Sequence, residues 1–364
     1  MSECTNTLQK LQDNINKVIV GSQRTTELLL VCLAAGGHVL IEDVPGTGKT
    51  MLAKSLAASA SLSFSRIQFT PDLLPGDVTG LNYFDQSKSR FVFREGPVFC
   101  HILLADEINR ATPRTQSALL ECMAEHQVTV DGQTRPLEDP FFVIATQNPV
   151  ETLGTFPLPE AQLDRFLMQI SMGIMTQEEE LSMIDRFIED QPLARLQACC
   201  DAKEIRALRT ACRSVFVHPD LRLYITQLIR CTRELSGSVP SDPAYAGPGG
   251  SFASDPAYTG SGGSFVSDPA GGRASSTGVF PGRIPRLEEG VSPRGTLALV
   301  RASQGLALVR GREYVTPEDI QECAIPVLAH RCLFQGISSA KEKEDRILTA
   351  LARTEVPTEN WKRG

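Results

Sequence analysis

The stretch 38-HVLIEDVPGTGKT-50 decides the fold of this chain. A short apolar run enters a loop with two glycines, and a lysine and a threonine follow directly. The loop is close to the phosphate-binding pattern GxxxxGK(S/T), except that Asp43 stands at the position of the first glycine. Asp tolerates unusual backbone angles better than most residues. The change therefore weakens the match to the pattern more than it weakens the mechanism.

Each part of this loop has a predicted role in holding a nucleotide. Gly46 and Gly48 give a permissive backbone, and the start of the following helix favours anions through its dipole. Lys49 is predicted to reach the β- and γ-phosphates, and Thr50 to bind Mg²⁺ through its hydroxyl. The predicted nucleotide-binding loop consists of Asp43, Val44, Pro45, Gly46, Thr47, Gly48, Lys49 and Thr50.

Two acids end the apolar run in 101-HILLADEINR-110. At the carboxyl end of a parallel strand they would lie beside the phosphate loop. Asp106 is then predicted to hold the hydration shell of Mg²⁺, and Glu107 to take a proton from an attacking water. The alternative is a strand followed by an ordinary acidic helix start. That alternative explains the pair of acids but not their place in the order of loop, strand and helix.

A third polar position ends the next apolar run, 141-FFVIATQNP-149. Asn148, together with Thr146, is predicted to orient the attacking water. Taken alone, an Asn before Pro149 indicates a simple turn. The order of the motifs along the chain favours the catalytic role.

The first 175 residues alternate short apolar runs with helical segments, which predicts an α/β sandwich with a parallel sheet. Two alternating segments, at about residues 76–97 and 127–139, predict inserted hairpins. The second contains Asp131-Gly132, a favourable type I′ turn. We expect the hairpins to form a working surface, with plain decoration as the alternative.

The remainder of the 364-residue chain is predicted to form a small all-α domain from residues 176–235 and 291–357. Between these parts, Gly, Ser and Pro dominate, and the sequence SDPA recurs at 241, 254 and 267. This composition predicts a disordered insertion at 236–290. A docking tether is the alternative role for the insertion.

Composition argues against several classes of protein. The net charge of −7, without a dense basic run, disfavours nucleic acid as the main ligand. The ten cysteines lack paired CxxC spacing, so we expect reduced packing residues and no zinc site. The N-terminus lacks the apolar core of a secretion signal, and no apolar run is long enough to span a bilayer. These features predict a cytoplasmic protein.

The succession of motifs resembles the AAA+ ATPases, and specifically the MoxR family. The resemblance spans about residues 10–355 apart from 236–290. The combination is specific because its segments are seldom found together in other families. The segments that carry it are AAGGHVLIEDVPGTGKT, RIQFTPDLLPGDVTG, LLADEINRATPRTQSALLECMAE, PFFVIATQNPVETLGTFPLPEAQLDRFLM and SPRGTLALVRA.

The resemblance implies a P-loop core with a helical lid and an ATPase that depends on Mg²⁺. It also implies a homo-oligomer, expected to be a hexameric ring. The implied action is chaperone-like remodelling or activation of a protein client, with proteins that carry von Willebrand factor A-type domains as expected clients. Within the family pattern, Lys49 and Thr50 resemble the Walker A residues, Asp106 and Glu107 the Walker B pair, and Asn148 the sensor 1 residue.

Further roles follow from the same resemblance. Arg165, in the segment LDRF, resembles the arginine finger that reaches the γ-phosphate of a neighbouring subunit. Arg294, in the segment SPR, resembles the sensor 2 arginine that couples the lid to the nucleotide. Arg110 and Arg114 are rival candidates for the finger. Val20-Gly21 resembles the segment that lines the adenine pocket.

Three other functions fit the sequence less well than an ATPase does. A nucleotide-gated binding module would switch its lid on ATP and hardly hydrolyse it, but Glu107, Asn148 and Arg165 are all present. A nucleic-acid motor is disfavoured by the acidic charge balance. A GTPase is disfavoured because the segment NKVI lies upstream of the loop and lacks the aspartate that recognises guanine.

Overall fold

The computed structural model describes residues 2–44, 46–149, 154–189, 191–236, 291–332 and 339–358. Pro45 of the predicted loop lies outside the described residues, as does the predicted insertion from residue 237 to 290. Ser236, the first residue of that predicted insertion, is buried and caps a helix.

The strands form one parallel sheet and two hairpins. Their bounds are β1 (His38–Glu42), β2 (Phe64–Gln68), β3 (Gly80–Asp85), β4 (Arg90–Glu95), β5 (Ile102–Asp106), β6 (Gln127–Val130), β7 (Gln133–Pro136), β8 (Phe142–Gln147) and β9 (Phe166–Ile170). The sheet has the order β2-β5-β8-β1-β9, and all its neighbouring pairs are parallel. The predicted α/β fold with a parallel sheet is confirmed.

The register of the sheet brings the strand ends together. Gln68 pairs with Asp106 across β2 and β5, and Glu42 pairs with Gln147 across β1 and β8. Because these pairs stand at the carboxyl ends of their strands, the segments that follow them meet at one edge. Ligands of open α/β sheets bind at this edge.

Helices cover both faces of the sheet and build the lid. Their bounds are α1 (Ser2–Val18), α2 (Gln23–Ala35), α3 (Lys49–Ser59), α4 (Pro75–Thr79), α5 (Pro113–Glu125), α6 (Glu160–Leu163), α7 (Gln177–Glu189), α8 (Ala202–Ser214), α9 (Pro219–Leu235), α10 (Pro293–Val309), α11 (Pro317–Leu328) and α12 (Ala340–Arg353). Short 3₁₀ turns span Ile108–Arg110, Pro192–Arg195 and Ala329–Arg331. No helix of the described ranges is both long and apolar enough to cross a membrane.

Strand residues alternate between two hydrophobic cores, which explains the sandwich. Ile102 and Leu104 of β5 pack in the core that contains α1, α2, α3 and the lid helices. Leu103 and Ala105 face the other core, with α5. Each sheet face is therefore buried, as the near-continuous apolar runs of the sequence predicted.

The two predicted hairpins are present as β3–β4 and β6–β7. The first starts as a strand only at Gly80, not at residue 76, because Pro75–Thr79 forms α4. There the Asp77 carboxylate accepts a hydrogen bond from the Leu74 N–H, which favours a helical turn. In the second hairpin, Asp131 and Gly132 have φ values of 49° and 75°, as a type I′ turn requires.

The lid packs directly against the N-terminal helices. Helix α10 lies on α2, and Gly305 permits the close approach, because a Cβ there would stand 3.0 Å from Val31 Cγ1. Ser292 caps the start of α10 by accepting a hydrogen bond from the Gly295 N–H. At the start of α11, Thr316 is the N-cap residue, and its N–H donates to the Asp319 carboxylate at 2.9 Å.

Candidate active site

A cleft of about 380 Å³ opens at the carboxyl edge of the sheet. It brings together the phosphate-loop candidates, the two acids and the residues that follow β8. Its lining consists of Asp43, Gly46, Gly48, Lys49, Thr50, Met51, Arg66, Gln68, Asp106, Glu107, Thr146, Gln147 and Asn148. Motifs that are up to about a hundred residues apart in the sequence thus share one cleft.

The loop between β1 and α3 has the geometry of an anion cradle. Gly46 and Gly48 have φ values of 89° and 91°, in the left-handed region that favours glycine. A Cβ added at either glycine would meet nothing within 4 Å, so the space above the loop is open. Gly48 caps the N-terminus of α3, where the helix dipole favours a negative charge. These features fit a phosphate group.

Lys49 bonds to the loop itself. Its Nζ donates to the carbonyl oxygens of Val44, at 2.8 Å, and Asp43, at 3.0 Å. Burial lowers the pKa of the Lys49 ammonium, and the carboxylates of Asp43, Asp106 and Glu107 partly offset this shift. The ammonium is therefore surrounded by these three carboxylates, next to the open cradle. Phosphate oxygens can accept hydrogen bonds from Lys49 Nζ as the carbonyl oxygens of Asp43 and Val44 do.

Asp43 links the loop to the segment that follows β9. Its Oδ1 accepts from the Val44 N–H at 2.8 Å, and its Oδ2 accepts from the Met172 N–H at 2.9 Å. A glycine at this position could make neither bond. The departure from the phosphate-loop pattern thus has a structural purpose, which the sequence alone did not show.

The carboxylate of Asp106 is held by two neighbours. Its Oδ1 accepts from the Thr146 hydroxyl at 2.6 Å. Its Oδ2 accepts from Arg66, at 2.6 Å from Nη2 and 3.2 Å from Nε. Asp106 and the Thr50 hydroxyl both line the cleft, and Mg²⁺ prefers such oxygen ligands. The donor set fits the metal that the family resemblance implies.

Glu107 sits in a strained and well-bonded position. Its φ of 55° lies in the left-handed region, which costs a non-glycine residue about 1–3 kcal/mol and is typical of functional sites. Its N–H donates to Thr146 Oγ1 at 2.9 Å. Its Oε2 accepts from Gln68 Nε2 and from Arg110 Nη1, each at 2.9 Å. Glu107 is thus oriented from both sides at the cleft wall.

Other residues of the predicted loop and of sensor 1 are near the cleft. Asn148 lines it, and the Asn148 carbonyl accepts from Asn109 Nδ2 at 3.5 Å. The Thr47 hydroxyl donates to the Val44 carbonyl at 3.3 Å, and the Val44 side chain is exposed.

The predicted arginines and the adenine segment stand outside the cleft lining. Arg165 donates a hydrogen bond from Nη1 to the Leu120 carbonyl within α5. Arg294 is exposed in the first turn of α10, and Arg114 is exposed in the first turn of α5. Val20 is buried, and a Cβ at Gly21 would collide with the Glu179 carboxylate. The structure therefore does not bring these groups to the phosphate loop within one chain.

Asp164, Ser292 and Arg331 form what we call the core–lid junction. Asp164 Oδ1 accepts from Arg331 Nε at 2.8 Å, and Asp164 Oδ2 accepts from the Ser292 hydroxyl at 3.0 Å. Arg331 is only 8% exposed and also donates to the carbonyls of Phe166 and Leu167. The junction thus connects the residue before Arg165 with the helix start that carries Arg294.

Sequence reasoning missed four residues of the cleft, namely Met51, Arg66, Gln68 and Gln147. A signal for two of them was present. Arg66 and Gln68 are two positions apart at the end of a strand, so their side chains share one face. The sequence did not show that β2 lies beside β5, because this pairing joins residues almost forty positions apart.

Comparisons with known proteins agree with this geometry. Residues 38–168 match the model of the ATPase family associated with various cellular activities (AAA), and residues 285–351 match the AAA lid domain. Chaperone MoxR1 of Mycobacterium tuberculosis is 36% identical over 94% of this chain and 80% of its own length. Protein YeaC of Bacillus subtilis is 40% identical over 91% of this chain and 90% of its own. The crystal structure of a candidate ATPase from Cytophaga hutchinsonii superimposes with a TM-score of 0.77, at 34% identity, over 98% of this chain and 97% of the other.

The chain belongs to the MoxR family of AAA+ ATPases. The fold expected from that resemblance, a P-loop core with a helical lid, is confirmed. In this MoxR family protein the match to the AAA model runs from the start of β1 into β9 and includes the whole cleft lining. Family membership supports nucleotide binding and ATPase activity.

Proposed function

We propose that this protein hydrolyses ATP in a reaction that requires Mg²⁺, and that hydrolysis drives the remodelling or activation of a protein client. The observation that carries the proposal is the convergence of Lys49, Thr50, Asp106, Glu107 and Asn148 on one cleft. An ordinary surface cleft would not combine an open anion cradle, an ammonium and two acids at strand ends.

The phosphate loop binds the triphosphate. Lys49 exchanges the carbonyls of Asp43 and Val44 for phosphate oxygens, because an anion in the cradle is the stronger acceptor. The open space over Gly46 and Gly48 admits the phosphates close to the backbone. Asp43 keeps the loop anchored to Met172 during this exchange.

Thr50 and Asp106 are the residues that would hold Mg²⁺, both through oxygen atoms. When bound, the metal ion neutralises charge on the β- and γ-phosphates. Thr146 keeps Asp106 oriented through its hydroxyl, since the Thr146 side chain is buried and cannot turn to solvent.

Glu107 is the general base of the proposed reaction. It takes a proton from the attacking water while Asn148 orients that water, and the new P–O bond forms as the bond to ADP breaks. The contacts with Gln68 and Arg110 fix the Glu107 side chain at the cleft wall. Since Arg110 bonds to Glu107 within the same chain, we assign it a role in cis.

Two further arginines are proposed to reach the nucleotide, one from a neighbouring subunit and one from the lid. We propose that Arg165 acts on the γ-phosphate of a neighbouring copy in a hexameric ring, and that Arg294 reaches the nucleotide from its own lid. Arg165 does not line the cleft of its own chain, which supports its action on a neighbouring copy. We further propose that Val20-Gly21 contacts adenine.

The client is proposed by analogy with relatives. One relative is named a chaperone, which supports chaperone-like action here. Proteins with von Willebrand factor A-type domains are the proposed clients and the cytoplasm the proposed site of action. The exposed β3–β4 hairpin offers aromatic side chains for such a contact, with Phe91 72% exposed.

The decisive variant is Glu107→Gln, which keeps the shape of the side chain but removes the base. We expect ATP binding to persist and steady-state phosphate release to fall at least a hundredfold, as for loss of a general base. Glu121→Gln, at an exposed glutamate of α5, is the matched control. Turnover by Glu107→Gln at the wild-type rate would refute the proposed mechanism. The same variant with ATP serves as a trap for the client in pull-down experiments.

A nucleotide-gated binding module is the second candidate. It is favoured by one observation, that Asp106 and Glu107 are both paired with arginines in the described conformation. A module of this kind would bind ATP and release almost no phosphate with Mg²⁺ present. Phosphate release by the wild-type protein with and without Mg²⁺ separates the two candidates.

A further inference from the structure

Arg66 lines the cleft but has no role in the predicted chemistry. It opens the segment 66-RIQFTPDLLPGDVTG-80, which carries the family resemblance without an assigned function. Its Nη2 stands 2.6 Å from Asp106 Oδ2 and 3.0 Å from Gln68 Oε1. Gln68 in turn bonds to Glu107, so Arg66 begins a chain of contacts that reaches both acids.

The two oxygens of Asp106 differ in how they are held. Oδ1 accepts from Thr146, whose side chain is buried at 1% exposure. Oδ2 accepts two N–H groups of Arg66, whose side chain is 46% exposed. The Thr146 contact is therefore fixed, whereas the Arg66 contact can exchange with solvent or with a ligand.

A metal ion at Asp106 conflicts with this guanidinium. A carboxylate offers about four lone-pair sites, and three are already used by Thr146 and Arg66. A guanidinium and Mg²⁺ also repel each other when they share one carboxylate oxygen. Arg66 must therefore leave Oδ2 for the metal's hydration shell to bond there.

We propose that Arg66 is a positioning residue that occupies Asp106 Oδ2 in the nucleotide-free protein and gives it up when Mg·ATP binds. This inference rests on the proposed function. Without nucleotide, Arg66 holds the Asp106 carboxylate in its orientation through two hydrogen bonds. On loading, the guanidinium remains in the same cleft, where the phosphates supply a new negative partner. Arg66 thus sets how strongly the metal ion strengthens nucleotide binding.

A role in competition with the metal ion and a purely structural role predict opposite effects of removing Arg66. If Arg66 competes with the metal ion, its removal strengthens the effect of Mg²⁺ on nucleotide affinity. If Arg66 only supports Asp106, its removal leaves the acid misplaced and weakens that effect. The informative quantity is the ratio of nucleotide dissociation constants without and with Mg²⁺, because direct contacts of Arg66 with phosphate largely cancel in it.

The experiment measures binding of a fluorescent, non-hydrolysable ATP analogue to the full chain in EDTA and in saturating Mg²⁺. For Arg66→Gln and Arg66→Met we expect the ratio to rise about tenfold, the effect of one charge-assisted hydrogen bond. Arg66→Lys, which keeps a cation, should stay within about twofold of the wild type. Arg90→Gln, the same change of charge on the β3–β4 hairpin, should leave the ratio unchanged.

The outcomes separate this inference from the proposed function. An unchanged or lower ratio in both Arg66→Gln and Arg66→Met overturns the role of Arg66 and leaves the ATPase proposal intact. A wild-type protein that binds no ATP analogue, or binds it equally with and without Mg²⁺, overturns the proposed function itself. Thermal unfolding of each variant verifies that the protein measured is folded.

Discussion

The cleft and the core–lid junction both depend on arginine–carboxylate pairs, but they treat them differently. In the cleft, Arg66 is 46% exposed and shares the Asp106 carboxylate with Thr146. In the junction, the Arg331 side chain is 3% exposed and donates hydrogen bonds to Asp164 and to backbone carbonyls. In the first pair the arginine can exchange its partner for a ligand, whereas in the second pair the arginine is buried away from solvent.

The cleft pair is expected to affect mainly activity, and the junction pair mainly stability. Because the Arg66 side chain is half-exposed, its pair with the buried Asp106 contributes less to stability than a fully buried pair, and Arg66 can change partners at lower cost. A buried pair is costly to break, because the remaining charge has no water. We therefore expect cleft variants to lose activity while staying folded, and junction variants to lose stability.

The largest effect is expected at Arg165, which adjoins the junction but is proposed to act in a neighbour's cleft. Arg165→Ala should lower ATP hydrolysis about a thousandfold, as loss of an arginine finger does, with little loss of stability. Phosphate release at saturating Mg·ATP measures it. Arg114→Ala, at the exposed rival position, is the matched control and should hydrolyse normally.

A mixing experiment sharpens the assignment of Arg165. Arg165→Ala and Glu107→Gln chains are each expected to be inactive alone. Mixed rings contain intact clefts next to intact fingers if Arg165 acts between subunits, so activity should return. Mixed rings without activity would contradict action in trans, and a loss in Arg114→Ala instead would move the finger to that residue.

The next effect concerns the junction. Arg331→Met should lower the free energy of unfolding by about 3–5 kcal/mol, because Asp164 loses its buried partner. Chemical denaturation at neutral pH measures it. Arg94→Met, at an exposed position of β4, is the control and should change stability by less than about 0.5 kcal/mol. Equal stability of both variants would show that the junction is not a sealed pair.

The smallest effect is a pH dependence at the same junction. His330 is buried beside Arg331, and burial, reinforced by the Arg331 charge, holds its pKa well below the usual 6.5. The imidazole is therefore neutral in the folded protein. Below about pH 6.5 it takes up a proton when the protein unfolds. The resulting stability is full above about pH 6.5 and is lost as the pH falls, by up to about 1.4 kcal/mol per pH unit.

His330→Asn should remove this proton uptake. The free energy of unfolding should then fall less steeply between about pH 6 and pH 4, by up to about 1.4 kcal/mol per pH unit. Denaturant titrations across that range measure the slope. A second buried histidine, His38, with its pKa lowered by burial to about 3, should keep part of the slope in the variant. A slope identical to that of the wild type would exclude His330 as a source of acid sensitivity.

The cleft could be predicted largely from sequence because its groups follow strand ends. Asp106 ends one strand, Asn148 follows another, and Lys49 follows a third after a short loop, and the carboxyl ends of parallel strands must meet. Arg66 and Gln68 were missed because their role depends on the pairing of β2 with β5, which is a long-range contact. The sequence showed which motifs converge but not which side chains hold them.

The junction could not be predicted from sequence for a related reason. Asp164, Ser292 and Arg331 come from three separate parts of the chain, and no local pattern marks them as partners. Asp43 shows the same limit on a smaller scale. Its tolerance in the loop was predicted, but its bond to the Met172 N–H depends on where β9 ends in space.

The most direct test of the central claim is a crystal structure with a non-hydrolysable ATP analogue and Mg²⁺. We expect the terminal phosphates to lie over Gly46 and Gly48, with Lys49 Nζ bonded to phosphate oxygens and Arg66 displaced from Asp106 Oδ2. A nucleotide bound elsewhere on the protein, with Lys49 still on the carbonyls of Asp43 and Val44, would contradict it.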